Sequence, residues 1–280
     1  MLFTSDRGIA PARAAQVAEA AGFDSFAVPE HTHIPVRREA LHPETGDSRL
    51  PDDRYLRVLD PWVALATAAS VTSEIRLGTA VALPVEHDPI ALAKTIASLD
   101  YLSGRRVTLG VGFGWNTDEL TDHGVPAGKR RTVLREYVEA MEALWAQDEA
   151  SYHGQFVDFE PSWAWPKPVQ QPRMPLLVGA SGTKKAFGWI ADSADGWITT
   201  PHETDIEQRV ALLHRIWRDA GRGGLPEVTV LAGRPDPDAL ARWRGAGVTE
   251  VLFGLPDRSA DEVAAYIDRL AGRLGMSADK

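Results

Sequence analysis

The chain has 280 residues, 44% of them hydrophobic and 25% charged, with a formal net charge of −9 and no cysteine. This is globular composition, long enough to bury a core without staples, and the lack of cysteine excludes disulfides and thiolate metal sites. The acidic balance, the single short basic run GKRR at 128–131, the lack of an apolar run near the roughly 18 residues of a membrane span and an N-terminus without an apolar secretory core speak against nucleic-acid and membrane partners and make a cytoplasmic protein the expectation.

Short apolar runs alternate with helical patterns along the chain. Residues 1–4 read as a first strand. Residues 11–21 read as a helix with Ala14, Val17, Ala18 and Ala21 on one face, ended by Gly22. FDSFAVPE follows as a second strand. Residues 61–70 form a helix capped by Asp60 with Pro61 at its first position. IRLGTAVAL is a third strand, residues 90–102 a helix, RRVTLGVG a fourth strand, and residues 129–147 a long amphipathic helix. The rhythm continues with strand MPLLVGA and a helix over 184–192, strand ADGWITT and a helix over 205–220, strand EVTVLAG and a helix over 236–245, and strand TEVLFGL and a helix over 260–274. Near-continuous apolar strands separated by helices imply a parallel sheet under helical cover, and eight such units suit a (β/α)8 barrel. A doubly wound open sheet is the alternative. No linker divides the chain, so residues 1–280 are expected to form one domain.

Two stretches interrupt the rhythm. Residues 30–59 are a long polar segment after a strand, which in a barrel places them on the catalytic face. Residues 150–171 hold a hairpin-like pattern about Gly154 and the proline-rich PSWAWPKPVQQP. They follow a helix, so they can reach either face.

Three motifs carry chemistry. VPEHTHIP sets Glu30, His31 and His33 just past the second strand. A carboxylate and imidazoles there can contact a cofactor or move protons, against exposed loop histidines as the bland reading. His31 and His33 can share a side, but no third or fourth ligand stands out, so no metal site is expected. PLLVGASGTKKAFGW runs a buried strand into small residues at a helix start. The amides, with Ser181 and Thr183 hydroxyls, suit a phosphate, although the P-loop spacing is absent and a plain tight turn also needs glycine. LGVGFGWNTDEL at 109–120 spaces Gly110, Gly112 and Gly114 by two. That is a strand period and not a dinucleotide fingerprint. It reads either as a strand cleared for a flat ligand or as crowding inside a barrel; the change to Trp115 and Asn116 favours the ligand.

With these blocks in order, the sequence resembles the luciferase-like monooxygenase superfamily, and within it the oxidoreductases that use the deazaflavin coenzyme F420. The likeness runs from about residue 14 to 200, through AGFDSFAVPEH, DPWVALATAASVTSEIRLGTAVALPVEHDPIALAKTIASLDYLSGRRVTLGVGFGW, EALWAQ, YHGQFVDF, PKPVQQPRMPLLVGASG and ADSADGWITT. The last 80 residues match only in pattern. The resemblance implies a bacterial-luciferase-like (β/α)8 barrel, a TIM barrel, with the coenzyme at the C-terminal ends of the strands. It implies a third-strand bulge with a non-prolyl cis peptide, placed in GTAV at Ala80–Val81 next to Thr79, on which the ring leans. It also implies that Glu30 and His31 lie near the ring, Gly112, Phe113 and Gly114 beside it, and Gly179, Ala180, Ser181, Gly182 and Thr183 at its phosphate.

One departure matters. Sugar-phosphate dehydrogenases of the superfamily carry a glutamate acid just after the fourth-strand glycines, where this chain has Trp115. An indole cannot transfer that proton, and an aromatic wall suits a flat or apolar substrate better. The first expectation is therefore hydride transfer between F420 and a small organic substrate, with His31 beside the reactive carbon, Glu30 orienting polar groups of the ring, and His33 and Trp115 shaping the substrate pocket. The alternatives are an FMN-dependent monooxygenase fed by a partner reductase, and a non-catalytic flavin-binding protein on the same barrel. The resemblance also implies a homodimer as one assembly open to the chain, since the family often forms dimers.

Overall fold

A computed structural model describes residues 5–43, 45–231 and 233–276. The strand expected at residues 1–4 lies outside them, so numbering starts at the second expected strand. In chain order the elements are α1 (Pro11–Ala20), β1 (Ser25–Val28), α2 (Pro61–Ala69), β2 (Arg76–Thr79), α3 (Pro89–Ser103), β3 (Val107–Val111), α4 (Thr117–Asp122), α5 (Arg130–Ala146), β4 (Ala150–His153), β5 (Asp158–Ser162), β6 (Leu176–Gly179), α6 (Lys184–Ser193), β7 (Gly196–Thr199), α7 (Ile206–Asp219), β8 (Glu227–Leu231), α8 (Pro237–Ala246), β9 (Glu250–Leu252) and α9 (Ala260–Arg273).

Seven strands pair in parallel in the order β1-β2-β3-β6-β7-β8-β9 and form a nearly closed barrel. Phe26 pairs with Leu77, Leu77 with Val107, Gly110 with Leu177 and Val178 with Trp197, so the strands stay in step around the sheet. The edge strands β1 and β9 meet through side chains, with the Ser25 hydroxyl donating to Glu250 at 2.6 Å. Apolar runs such as Leu176–Gly179 are buried because helices cover one face and the barrel interior the other.

The helices start where local chemistry predicts. Asp60 accepts from the Val63 amide and Asp88 from the Ala91 amide, both at 2.8 Å, ahead of Pro61 and Pro89. Ser259 and Glu262 form a capping box before α9. Beneath α6, Phe187 meets Trp197 edge-on with centroids 5.0 Å apart, and the Trp197 indole donates to the Ala180 carbonyl at 2.7 Å. That bond anchors the loop after β6. No helix among the described residues is long and apolar enough to cross a membrane.

The two interruptions part company. Residues of the 30–59 segment, including Leu41, His42, Arg54 and Tyr55, line a large cavity at the C-terminal ends of the strands. The 150–171 segment faces away from it. Its hairpin β4–β5 leans on α5, where Glu136 accepts from the Phe156 amide at 2.7 Å. Gln170 then donates to the carbonyl of Val107, the first residue of β3, at 2.8 Å, and Asp100 holds the Val169 and Gln170 amides. The insertion therefore braces the N-terminal end of the barrel.

The glycine stripe of β3 also has a structural reason. A Cβ on Gly110 would lie 2.1 Å from the Thr79 carbonyl oxygen and 2.6 Å from Ile198, and one on Gly112 would lie 2.6 Å from Val81. The close neighbour is the protein itself: the stripe admits the end of β2 into the barrel. Gly128, by contrast, has nothing within 4 Å of such an atom. Gly110→Ala is expected to lower stability by about 1–3 kcal/mol or more, as overpacking against backbone does. Gly128→Ala should leave it within about 0.5 kcal/mol. Urea denaturation of both variants measures the difference.

Candidate active site

The cavity has a volume of about 1220 Å³, and residues just past the strand ends form its floor: Glu30 after β1, Ala80 after β2, Gly112 after β3, Ala180 after β6 and Thr200 after β7. This is the face where barrel enzymes place their chemistry. The Ala80–Val81 peptide is cis, at the position implied by the sequence. Before it, the Ala80 amide donates to Val28; after it, the Ala82 amide donates to Gly110 and the Gly112 amide to Ala82. The chain thus switches partners across this peptide, and Ala80 and Val81 project into the cavity. The Thr79 hydroxyl donates to the Gly110 carbonyl at 2.7 Å, and Thr79 does not line the cavity; its expected contact with a cofactor is replaced by a structural bond.

Glu30 is 3% exposed. One carboxylate oxygen accepts from the Leu83 amide at 2.5 Å and the other pairs with His87 Nε2 at 2.6 Å. Burial works to lower the His87 pKa, but the bond and charge of Glu30 outweigh it, so His87 is raised. The carboxylate expected to orient a ring thus fastens the segment that follows the cis peptide, while lining the cavity.

His31 sits on the cavity wall, and its Nδ1 lies 2.8 Å from Glu119 Oε2. Glu119 is fully buried and also accepts from the Thr32 amide at 2.9 Å and from Asn116 Nδ2 at 3.2 Å. Burial pushes its pKa up, but the hydrogen bond and charge of His31 and the amides of His33 and Thr32 prevail, so the carboxyl is held below its ordinary range. An ionised carboxylate only accepts, so the shared proton resides on Nδ1 and Nε2 is the nitrogen left for the cavity. Glu119 lies within LGVGFGWNTDEL, where no motif assigns it a role. An available signal was N-x-x-E, the spacing that opens a helix. Here α4 does begin there, but Asn116 donates to Glu119 and makes no side-chain cap.

Around His31 stand three more rings. Trp115 lies 5.7 Å and Tyr55 5.6 Å from it, centroid to centroid, and His42 lies 4.9 Å from Trp115. His42 Nε2 is 3.0 Å from the Tyr55 hydroxyl. The 31–59 loop is expected to shape the substrate side, but no local pattern within this irregular segment singles out His42 and Tyr55. His33, expected in the pocket, turns outward. Its Nε2 bonds Asp122 at 2.9 Å and it does not line the cavity: alternation along an extended chain would set it on the same side as His31, but the segment past β1 is irregular and carries it away.

The loop after β6 is divided in the same way. Gly179, Ala180 and Ser181 line the cavity; Gly182 and Thr183 do not. The Thr183 hydroxyl caps α6 by accepting from the Ala186 amide at 3.2 Å, and the Gly182 amide donates to Glu203 at 2.9 Å. Phe113 and Gly114, past the neighbouring strand β3, also line the cavity. Among the described residues no group of three or more metal-binding side chains occurs.

The sequence matches the luciferase-like monooxygenase family over residues 10–239, and the chain belongs to that family. It is 69% identical over 274 residues to the uncharacterized protein Rv0953c of Mycobacterium tuberculosis, covering 98% of this chain and 97% of that one. Its fold is similar to a solved F420-dependent secondary alcohol dehydrogenase in complex with an F420–acetone adduct, with a TM-score of 0.73, 18% identity and coverage of 94% and 93%. It is also similar to the oxygenating constituent of 3,6-diketocamphane monooxygenase from Pseudomonas putida in complex with FMN, with a TM-score of 0.62, 16% identity and coverage of 82% and 65%. The family comprises oxidoreductases and monooxygenases, and the two solved structures hold an F420–acetone adduct and FMN respectively.

A third carboxyl completes the surroundings. Glu86 is 7% exposed, and neither oxygen has a hydrogen-bond partner at ordinary distance. Burial first, then the charges of Glu119 and Glu30, push its pKa from 4.5 up to about 9, against a weaker opposing pull from Thr32. The folded chain therefore keeps a proton that the unfolded chain releases above pH 4.5. Stability falls as pH rises through that window. Glu86→Gln removes the penalty. Its stability relative to wild type should grow between pH 5.5 and 8.5 in urea denaturation, and a difference independent of pH would contradict a protonated Glu86.

Proposed function

We propose that the chain transfers a hydride between a deazaflavin coenzyme of the F420 type and a small organic substrate in this cavity. The observation that carries this reading is the His31–Glu119 pair, whose imidazole lines the same cavity as the Ala80–Val81 bulge. A hydride moved to or from a carbon bearing oxygen requires a proton at that oxygen, and an imidazole fixed by a buried carboxylate is suited to it. When bound, the deazaflavin supplies the hydride acceptor or donor at its ring. The residues that would hold it are Ala80 and Val81 against the ring, and Gly179, Ala180 and Ser181 at its phosphate. The wall of Trp115, Tyr55 and His42 excludes water from the reacting atoms, and Glu119 keeps His31 in one tautomer.

Glu203 supports the deazaflavin over FMN. Its carboxylate already occupies the Gly182 amide beside the loop and lies 3.5 Å from Arg209 Nε. A phosphate monoester, with about −1.5 to −2 charge near neutral pH, is repelled there more than a singly charged diester. FMN carries the monoester and the deazaflavin coenzyme a diester. The FMN-dependent monooxygenase reading is favoured by the likeness to the diketocamphane enzyme and predicts the opposite preference.

Fluorescence titration of the purified chain with each cofactor decides between them. The deazaflavin should bind more tightly, and Glu203→Gln should narrow the gap by strengthening FMN. Binding of FMN alone would sink the proposal. His31→Ala should retain deazaflavin affinity yet reduce turnover by roughly 10²–10⁴-fold. The readout is reduction of the oxidised coenzyme by a panel of small alcohols, followed at its visible absorbance; unchanged turnover would remove the role of His31.

A further inference from the structure

The cavity has a cationic corner that the reaction above does not use. Arg130 and Arg131, at the start of α5, both line it. Their guanidinium carbons lie 5.7 and 4.8 Å from the centre of the Phe113 ring. The ring orients them by cation–π attraction but brings no negative charge. Other arginines of the chain near this cavity are paired with acids: Arg54 with Asp52 at 2.6 Å and Arg209 with Glu203. Arg130 and Arg131 have no carboxylate partner among the described residues, in a chain whose net charge is −9. Arg130 Nε is buried without an acceptor, and its Nη1 finds only the Ala127 carbonyl at 3.4 Å.

We propose that Arg130 and Arg131 form a subsite for a carboxylate carried by the substrate, which makes the substrate a small carboxylic acid with a flat or apolar body. Two adjacent guanidiniums without a counter-ion repel one another. Burial, and then the charge of Arg131, lower the pKa of Arg130, a cost that an incoming anion relieves. The planar fork of each guanidinium matches a carboxylate in two-point geometry. Phe113 and Trp115 offer apolar contact to the body of the molecule, and His31 stands on the same cavity wall for its reacting oxygen. The proposal rests on this cavity being the reaction site, but its comparison of benzoate with benzyl alcohol needs no coenzyme, so the two readings fail separately.

Isothermal titration at low salt compares benzoate with benzyl alcohol, two probes of one shape that differ in charge. Wild type should bind benzoate at least about 10-fold more tightly, the order of a charge-assisted bond pair. Arg131→Gln and Arg130→Gln/Arg131→Gln should lose that advantage while keeping the affinity for benzyl alcohol, which shows that the cavity is intact. Arg131→Lys, which keeps the charge without the fork, should fall between. Equal binding of the two probes, no binding of benzoate, or benzoate affinity indifferent to the arginines would overturn the proposal. So would variants that bind benzoate normally but lose affinity for the deazaflavin, since the arginines would then serve the acidic tail of the coenzyme.

Discussion

The cavity depends on one buried carboxylate. Glu119 takes bonds from the Thr32 amide, His31 and Asn116, and so ties the chain leaving β1 to the start of α4. An ionised group so deeply buried persists only because donors surround it. Those donors come from two segments with no regular pairing between them. The same charge that secures the loop sets the tautomer of His31, so support and chemistry share a group. It also raises the cost of ionising Glu86 nearby, leaving one of the three clustered carboxyls neutral.

The second constraint is steric. Across the Ala80–Val81 peptide the amides leaving β2 turn from β1 to β3, and side chains on Gly110 and Gly112 would collide with that path. Gly110 yields to the Thr79 carbonyl and Gly112 to Val81. Gly110 and Gly112 therefore admit the bulge, and Gly112 and the bulge both line the cavity. Glu30 completes the arrangement by holding Leu83 and His87 just downstream. The Trp197 indole holds the Ala180 carbonyl, which steadies the loop after β6, where a Cβ on Gly179 would lie 2.9 Å from Val81 of the bulge.

Helix starts and buried strands were legible because they are local. Asp60 before Pro61, Gly22 after α1 and the apolar run of β6 are each encoded within a few residues. The cis peptide was legible only through family resemblance, since nothing in Gly-Thr-Ala-Val dictates it. Residue roles were harder. Alternation alone does not say that Thr79 and His33 turn away from the cavity while Trp115 faces it. Nor does a small-residue loop reveal that Thr183 caps α6 and Gly182 serves Glu203.

By itself the sequence determined the alternation of strands and helices, the family, and which segments carry polar chemistry. These follow from periodicity, caps and motif order, which act over short spans of chain. Only the tertiary structure decided that Glu119 meets His31 across 88 positions, that His42 and Tyr55 close an aromatic wall, that residues 150–171 brace the opposite end, and that Arg130 and Arg131 stand without an acid among the described residues. Those outcomes depend on which surfaces approach when the barrel closes, and burial then fixes which charges find partners.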